Sequence, residues 1–240
     1  MKCQIHRYKT LESTQDKAKE FIQKGLSDII IVADNQTKGR GRFKRKWHSS
    51  KDGLWFSIVL KPDKLGKIQL LTFAAAIAVV KSIKKIAGIK ASIKWPNDVH
   101  YKGRKVCGIL TEGVFGKDNY AILGIGLNLN QKTFPKEVKN MATSLKIING
   151  KSFDKGILLK SILSNFTYLY QQYYKKNRFN GIFDMWKKYS DTINKDVVII
   201  TKNKKINGTA VGINNDCSLQ IKLRNGKSIK ILEGDVSVRY

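Results

Sequence analysis

KVCGILTEGVFGKDNYAILGIGLN, residues 105–128, decides the kind of fold. Residues 105–112 read as a strand, Gly116-Lys117-Asp118-Asn119 as a hairpin turn, and 120–128 as the returning strand. A period of two puts Lys105, Cys107 and Ile109 on one face and Val106, Gly108 and Leu110 on the other. The returning strand carries Gly124 and Gly126 inside an apolar run. Glycine weakens a strand, so two of them point either to close approach by a ligand or another backbone, or to a tight helix–sheet contact.

Upstream, more strands and helices join this hairpin. Residues 28–34 (DIIIVAD) and 54–60 (LWFSIVL) have the pattern of buried strands. A helix is expected from about Ser13 through Phe21 to Lys24, with Ser13 as its cap. Residues 68–87 have small and apolar side chains at helical spacing, which predicts a buried helix. SIKWP at 92–96 leads into a turn at Asn97–Asp98, because Pro96 has no N–H and biases Trp95 to extended geometry. Downstream, a long amphipathic helix is expected over 155–175 and a shorter one over 183–189.

The texture changes near residue 191. VVIIT, GTAVGI, SLQIKL, SIKIL and VSVRY are short strands separated by turns, one of them at Lys202–Asn203. That is the pattern of a small SH3-like β-barrel. The expected organisation is a domain over 1–192 and a second over 193–240. Strands and helices together make the larger one a layered α/β or α+β structure.

Composition narrows the functional classes. The chain has 240 residues, 46 Lys+Arg against 18 Asp+Glu, and a net charge of +28. A basic face collects phosphates, so a nucleic-acid-binding module is one reading. The lysines are spread along the whole chain beside abundant Ile and Asn, which is the mark of compositional bias. No apolar run has the length of a membrane span, and MKCQIHRYKT lacks the apolar core of a signal peptide. The expected location is the cytoplasm, with no membrane partner. Three separated cysteines without CxxC fit neither a disulfide framework nor a zinc site, and Cys107 reads as core.

Several segments carry residues suited to chemistry. Gly39-Arg40-Gly41-Arg42, continuing to Arg45 and Trp47, combines pliant backbone, cations for phosphate or carboxylate, and an indole able to stack on a purine. Alone it is equally a solvated basic loop. Lys94-Trp95-Pro96-Asn97-Asp98 sits at a strand end, where ligand sites of layered sheets lie, or is a terminating turn with a core tryptophan. Lys105 beside Gly108 could hold an anion, or be an exposed strand-end lysine. Ser13-Thr14-Gln15 is a helix cap that could also meet a ligand.

Taken in order, Ser13-Thr14-Gln15, Gln36, GRGR at 39–42, Trp47, KWPND at 94–98, Gly108 to Glu112 and Gly124 to Asn128 resemble the biotin protein ligases. The resemblance runs over about residues 6–130, and the terminal strands are similar to that family's small C-terminal barrel. It implies an α+β fold like the class II aminoacyl-tRNA synthetases: a mixed β-sheet with helices mainly on one face. It implies an ATP-dependent enzyme that forms biotinyl-5'-AMP, releases pyrophosphate and transfers biotin to a lysine of a biotin carboxyl carrier protein domain. The substrates would be biotin and ATP, with Mg²⁺ brought by ATP and no metal site built by the protein alone. Biotin would be held by Ser13, Thr14, Gln15, Gln36, Gly39, Arg40, Gly41, Arg42, Lys105 and Gly108. Arg40, Arg42, Arg45, Trp47, Lys94, Asn97, Lys105 and Asn128 would serve ATP. Lys105, Arg42 and Asp98 would be catalytic, Asp98 by orienting the incoming lysine. A homodimer is a further implication. The motif begins at residue 13, so the form expected is one without a dedicated DNA-binding domain. Phe43 and Lys44 stand where the family often has an arginine and a glycine, which predicts a less pliant loop. A lipoate-type protein ligase is the nearest alternative, and its motifs differ from GRGR and KWPND.

Overall fold

The computed structural model describes residues 3–62, 67–201 and 204–238. Seven strands form the larger sheet: β1 (Gln4–Leu11), β2 (Ile29–Gln36), β3 (Leu54–Leu60), β4 (Ser92–Lys94), β5 (Asp98–Tyr101), β6 (Arg104–Val114) and β7 (Tyr120–Leu127). Their order is β1-β2-β3-β7-β6-β5-β4, with β1 parallel to β2 and every other pair antiparallel. The mixed sheet expected from the sequence is present.

Alternation explains how two faces are covered. In β3, Leu54, Phe56, Ile58 and Leu60 enter the main core, which they share with α2 (Gln69–Ala87), α4 (Lys155–Leu169) and α5 (Asn180–Tyr189). On the other face Val59 joins Ile29, Ile31, Tyr120 and Ile122 against Ala18 and Ile22 of α1 (Thr14–Gln23). α2 is buried almost all round, including Ala74, Ala75, Ala76 and Ala78, whose small side chains let sheet and helices approach closely. No described helix is long and apolar enough to cross a membrane.

Five antiparallel strands follow: β8 (Asp196–Ile200), β9 (Lys205–Ile213), β10 (Leu219–Lys222), β11 (Ser228–Ile231) and β12 (Asp235–Val238), in the order β11-β10-β9-β8-β12. They match the five expected strands. The turn at residues 202 and 203 and the final two residues of VSVRY lie outside the described residues. Trp95 joins the two sheets. Its indole is buried and donates to the Cys217 carbonyl at 2.9 Å, while its backbone N–H donates to Thr192 Oγ1 at 3.0 Å.

Four expectations need correcting. β1 escaped notice because it is an edge strand, largely exposed and weakly patterned. Asp98 begins strand β5 rather than sitting in a turn. The long helix is α-helical to Leu169 and continues as a π-turn over Tyr170–Tyr174, and α3 (Leu145–Asn149) is additional. Most important, strict alternation along β6 fails. His100 pairs with Lys105 but Val99 pairs with Cys107, so Val106 is an extra residue, a β-bulge. The bulge turns Lys105 onto the face of Gly108: a Cβ added to Gly108 would lie 3.1 Å from Lys105 Cε.

Candidate active site

One cleft of about 660 Å³ opens where the ends of β4–β7, the start of α1, the loop 39–47 and strand β12 meet. It is lined by Ser13, Thr14, Gln15, Gln36, Arg40, Gly41, Arg42, Arg45, Trp47, Lys94, Asn97, Asp98, Lys105, Gly108 and Asn128, all proposed from the sequence. Gly39 is not a lining residue. Its backbone packs so tightly that a Cβ there would stand 2.5 Å from Ser49 Oγ and 2.6 Å from the Trp47 carbonyl.

The inner end is a relay of hydroxyls and one amide. Ser57 Oγ donates to Thr14 Oγ1 at 2.8 Å, and Thr14 Oγ1 donates to Gln36 Oε1 at 3.1 Å. The Thr14 backbone N–H also donates to Gln36 Oε1, at 2.8 Å. Gln36 Nε2 donates to Ser49 Oγ at 2.8 Å, and Ser49 Oγ donates to the Trp47 carbonyl at 3.2 Å. Ser13 Oγ caps α1 by accepting from the Gln15 N–H at 3.2 Å. Gln15 Nε2 donates to the Leu110 carbonyl at 3.0 Å, while its Oε1 is buried with no hydrogen-bond partner. Ser57 was missed. Its signal was a fully buried hydroxyl within LWFSIVL, whose place needed the register of β3 to be seen.

The strand glycines have a single explanation. A Cβ on Gly126 would meet Trp47 Nε1 at 2.5 Å, and one on Gly108 would meet the same ring at 3.1 Å. One on Gly124 would meet the Gln15 amide at 2.8 Å. Glycine therefore makes room for this chain's own side chains. Trp47 lies on the sheet, edge-on to Trp55 and under Lys105 Nζ, 5.0 Å from the ring centroid.

Charge collects at the mouth. Lys105 Nζ stands 2.6 Å from Asp98 Oδ1, and His100 Nε2 lies 3.7 Å from Asp98 Oδ2. Burial pushes the Asp98 carboxyl up, but Lys105 and His100 outweigh it and hold the group well below the usual carboxylate range. Burial also lowers the Lys94 ammonium and the Arg42 guanidinium from their ordinary values. Arg42 donates to Asn97 Oδ1 at 3.4 Å and to the Gly234 carbonyl at 3.3 Å, and Arg45 pairs with Asp235. Arg40 is already paired, at 2.6 Å from Asp16 and 3.6 Å from Glu112. Asn97 Nδ2 donates to the Ile109 carbonyl at 2.7 Å and Asn128 Nδ2 to the Lys105 carbonyl at 3.4 Å, so both amides brace strands as they line the cleft. Gly234, Asp235 and His100 also line the cleft and were not proposed from the sequence.

Cys107 is core, its thiol pushed up by burial. Among the described residues no three His, Cys, Asp or Glu side chains converge to hold a metal. The nearby carboxylates of Asp16, Asp98 and Asp235 are each engaged by a cation.

The loop itself is bent by two left-handed residues, Phe43 (φ 55°) and Lys44 (φ 57°). Glycine adopts that conformation freely, which explains why a glycine suits position 44. Lys44→Gly should stabilise the fold by up to about 1 kcal/mol, measured by urea unfolding. A loss of stability would mean that the Lys44 side chain contributes more than its backbone costs.

Comparison with known proteins agrees with this geometry. The model of the biotin/lipoate A/B protein ligase family matches residues 8–130, and that of the biotin protein ligase C-terminal domain matches 192–239. The bifunctional ligase/repressor BirA of Bacillus spizizenii is 38% identical over 235 residues, 95% of this chain and 72% of the relative. The biotin–[acetyl-CoA-carboxylase] ligase of Mycobacterium tuberculosis is 30% identical over 144 residues, 58% of this chain and 52% of that one. A solved structure of the Aquifex aeolicus biotin protein ligase, in complex with biotin and ATP, is 33% identical and covers 98% of both chains with a TM-score of 0.83. Family motifs, both sheets and the cleft between them thus coincide in one molecule, and the chain belongs to the biotin protein ligase family.

Proposed function

We propose that this cleft activates biotin with ATP and then passes the biotinyl group to a lysine of a biotin carboxyl carrier protein domain, such as that of acetyl-CoA carboxylase. The observation that carries the reading is the gradient along one cleft. A closed hydrogen-bonding end around Thr14, Gln15 and Gln36 gives way to a cationic mouth with Arg42, Lys94 and Lys105. The unpartnered Gln15 Oε1 suits a ureido N–H, which only donates. Activation brings a carboxylate against the α-phosphate of ATP, so two anions must meet. Fixed cations at the mouth lower that barrier. Lys105 and Arg42 would face the reacting carboxylate and α-phosphate, and Asp98 the incoming ammonium. Arg45, Lys94, Asn97, Asn128 and Trp47 would surround the nucleotide. Mg²⁺ would arrive on the phosphates of ATP. A homodimer, a cytoplasmic location and a division into domains 1–192 and 193–240 complete the proposal.

Labelling of a carrier domain that requires both biotin and ATP is the expected result. Labelling with lipoate and none with biotin would assign the lipoate-type activity instead.

Loop 39–47 protects the product, a readily hydrolysed mixed anhydride. Arg42 ties that loop to Asn97 and to the Gly234 carbonyl. Arg42→Gly should therefore leak adenylate while Lys94 and Lys105 still support part of the activation. Biotin label on a bystander protein without a carrier domain should rise several-fold over wild type. Label confined to the carrier in both enzymes, at similar activation rates, would remove Arg42 from the lid.

A further inference from the structure

The mouth of the cleft contains a histidine that the roles above leave unused. His100 is 4% exposed, and it shares the cleft-facing side of β5 with Asp98, two residues away. Its Nδ1 lies 3.1 Å from the Gly103 carbonyl oxygen. A carbonyl can only accept, so this bond places a proton on Nδ1. In the neutral ring Nε2 is then the nitrogen with a free lone pair. It is buried, has no hydrogen-bond partner, and faces Asp98 Oδ2 across 3.7 Å. Charged groups around Asp98 include Lys105 on β6, paired with Asp98 Oδ1, Lys94 on β4, whose Cα partner across the ladder is Asp98, and Arg42 of the loop, which donates to the adjacent Asn97.

The transfer step needs such a group. A carrier lysine arrives as an ammonium and must lose a proton before it can attack. Asp98 can orient that ammonium, but a carboxylate held so far below its ordinary range keeps a proton poorly. Lys105 is engaged with the other oxygen of the same carboxylate, at 2.6 Å. We propose that His100 is a positioning residue for biotin transfer, accepting at Nε2, by way of Asp98, the proton that the carrier lysine gives up. The neutral amine then attacks the acyl carbon of the adenylate. The C–N bond forms, the bond from that carbon to the phosphate oxygen breaks, and AMP leaves with the electron pair. The second amine proton departs from nitrogen to water as the amide forms, and His100 later returns the first to solvent.

The inference rests on the proposed ligase reaction, and biotin-dependent ATP/pyrophosphate exchange by the wild-type protein tests that reading separately. Two measurements test His100. The first is ¹⁵N NMR of the histidine-labelled wild-type protein, which has only three histidines to assign. The neutral ring of His100 should carry its proton on Nδ1, and a neutral ring protonated on Nε2 would overturn the proposal without any variant being made. The second is the transfer rate from pre-formed biotinyl-adenylate to a carrier domain. In His100→Gln the kcat for transfer should fall by about 100-fold, the lower end of the span for a lost proton-transfer group, with KM for the carrier nearly unchanged. A kcat within twofold of wild type, or a loss confined to KM, would reduce His100 to a packing role.

Discussion

Lys105→Ala should slow biotin-dependent ATP/pyrophosphate exchange by about 2–4 kcal/mol of barrier, the scale for one preorganised electrostatic contact. That is roughly 30- to 1,000-fold. The same substitution should also weaken the fold. From the sequence Lys105 could be an exposed strand-end lysine. In the structure it is Asp98's close partner at 2.6 Å, and both side chains are largely covered. Removing it leaves a poorly solvated carboxylate, which costs about 1–3 kcal/mol. The pH dependence distinguishes this cause. In the wild type Asp98's value is lowered by folding, so its contribution to stability is present above the ordinary carboxylate range and is lost progressively as pH falls from that range through the lower folded value. Without Lys105 the burial that pushes Asp98 up meets less opposition, and protonation relieves the variant. The stability gap should thus be widest near neutral pH and narrow below about pH 4. An equal gap at both would place the destabilisation elsewhere, and normal exchange would remove Lys105 from the chemistry.

Trp95→Ala should cost about 3–5 kcal/mol of stability, the range for truncating a buried aromatic side chain. Trp95 is 1% exposed, packs in the main core, and reaches the second sheet through the Cys217 carbonyl. Truncation leaves a cavity and strands that carbonyl. Trp95→Phe fills most of the volume without the N–H and should lose clearly less. Urea unfolding followed by far-ultraviolet circular dichroism measures both. A loss under about 1 kcal/mol for alanine would show that the sheets do not depend on this contact.

What the sequence revealed depended on how local the cause was. Buried strands such as LWFSIVL and the five turn-separated strands after residue 195 follow from patterning alone, and both are present. β1 was illegible because an exposed edge strand needs no apolar alternation. Most of the residues that line the cleft were legible as motifs, but their relations were not. The bulge at Val106 reverses the expected face of Lys105, and nothing in KVCGILTE marks it. His100 stands two residues after Asp98, on the same side of a strand, but a reading that ended the structure in a turn at Asp98 hid that relation. Gly234 and Asp235 meet Arg42 and Arg45 across about 190 residues of chain, a distance over which no spacing rule works.

That distance bears on how the protein is made. The ribosome builds a chain in one direction, and β12 follows every other described element. The loop 39–47 emerges early, yet its partners at Gly234 and Asp235 are among the last described residues synthesised. A nascent chain carrying GRGR, KWPND and Lys105 would have most of the side chains proposed for activation but no Gly234 or Asp235 to hold Arg42 and Arg45. The contacts that hold this loop against the second sheet therefore become available only late in translation, once Gly234 and Asp235 exist to receive Arg42 and Arg45.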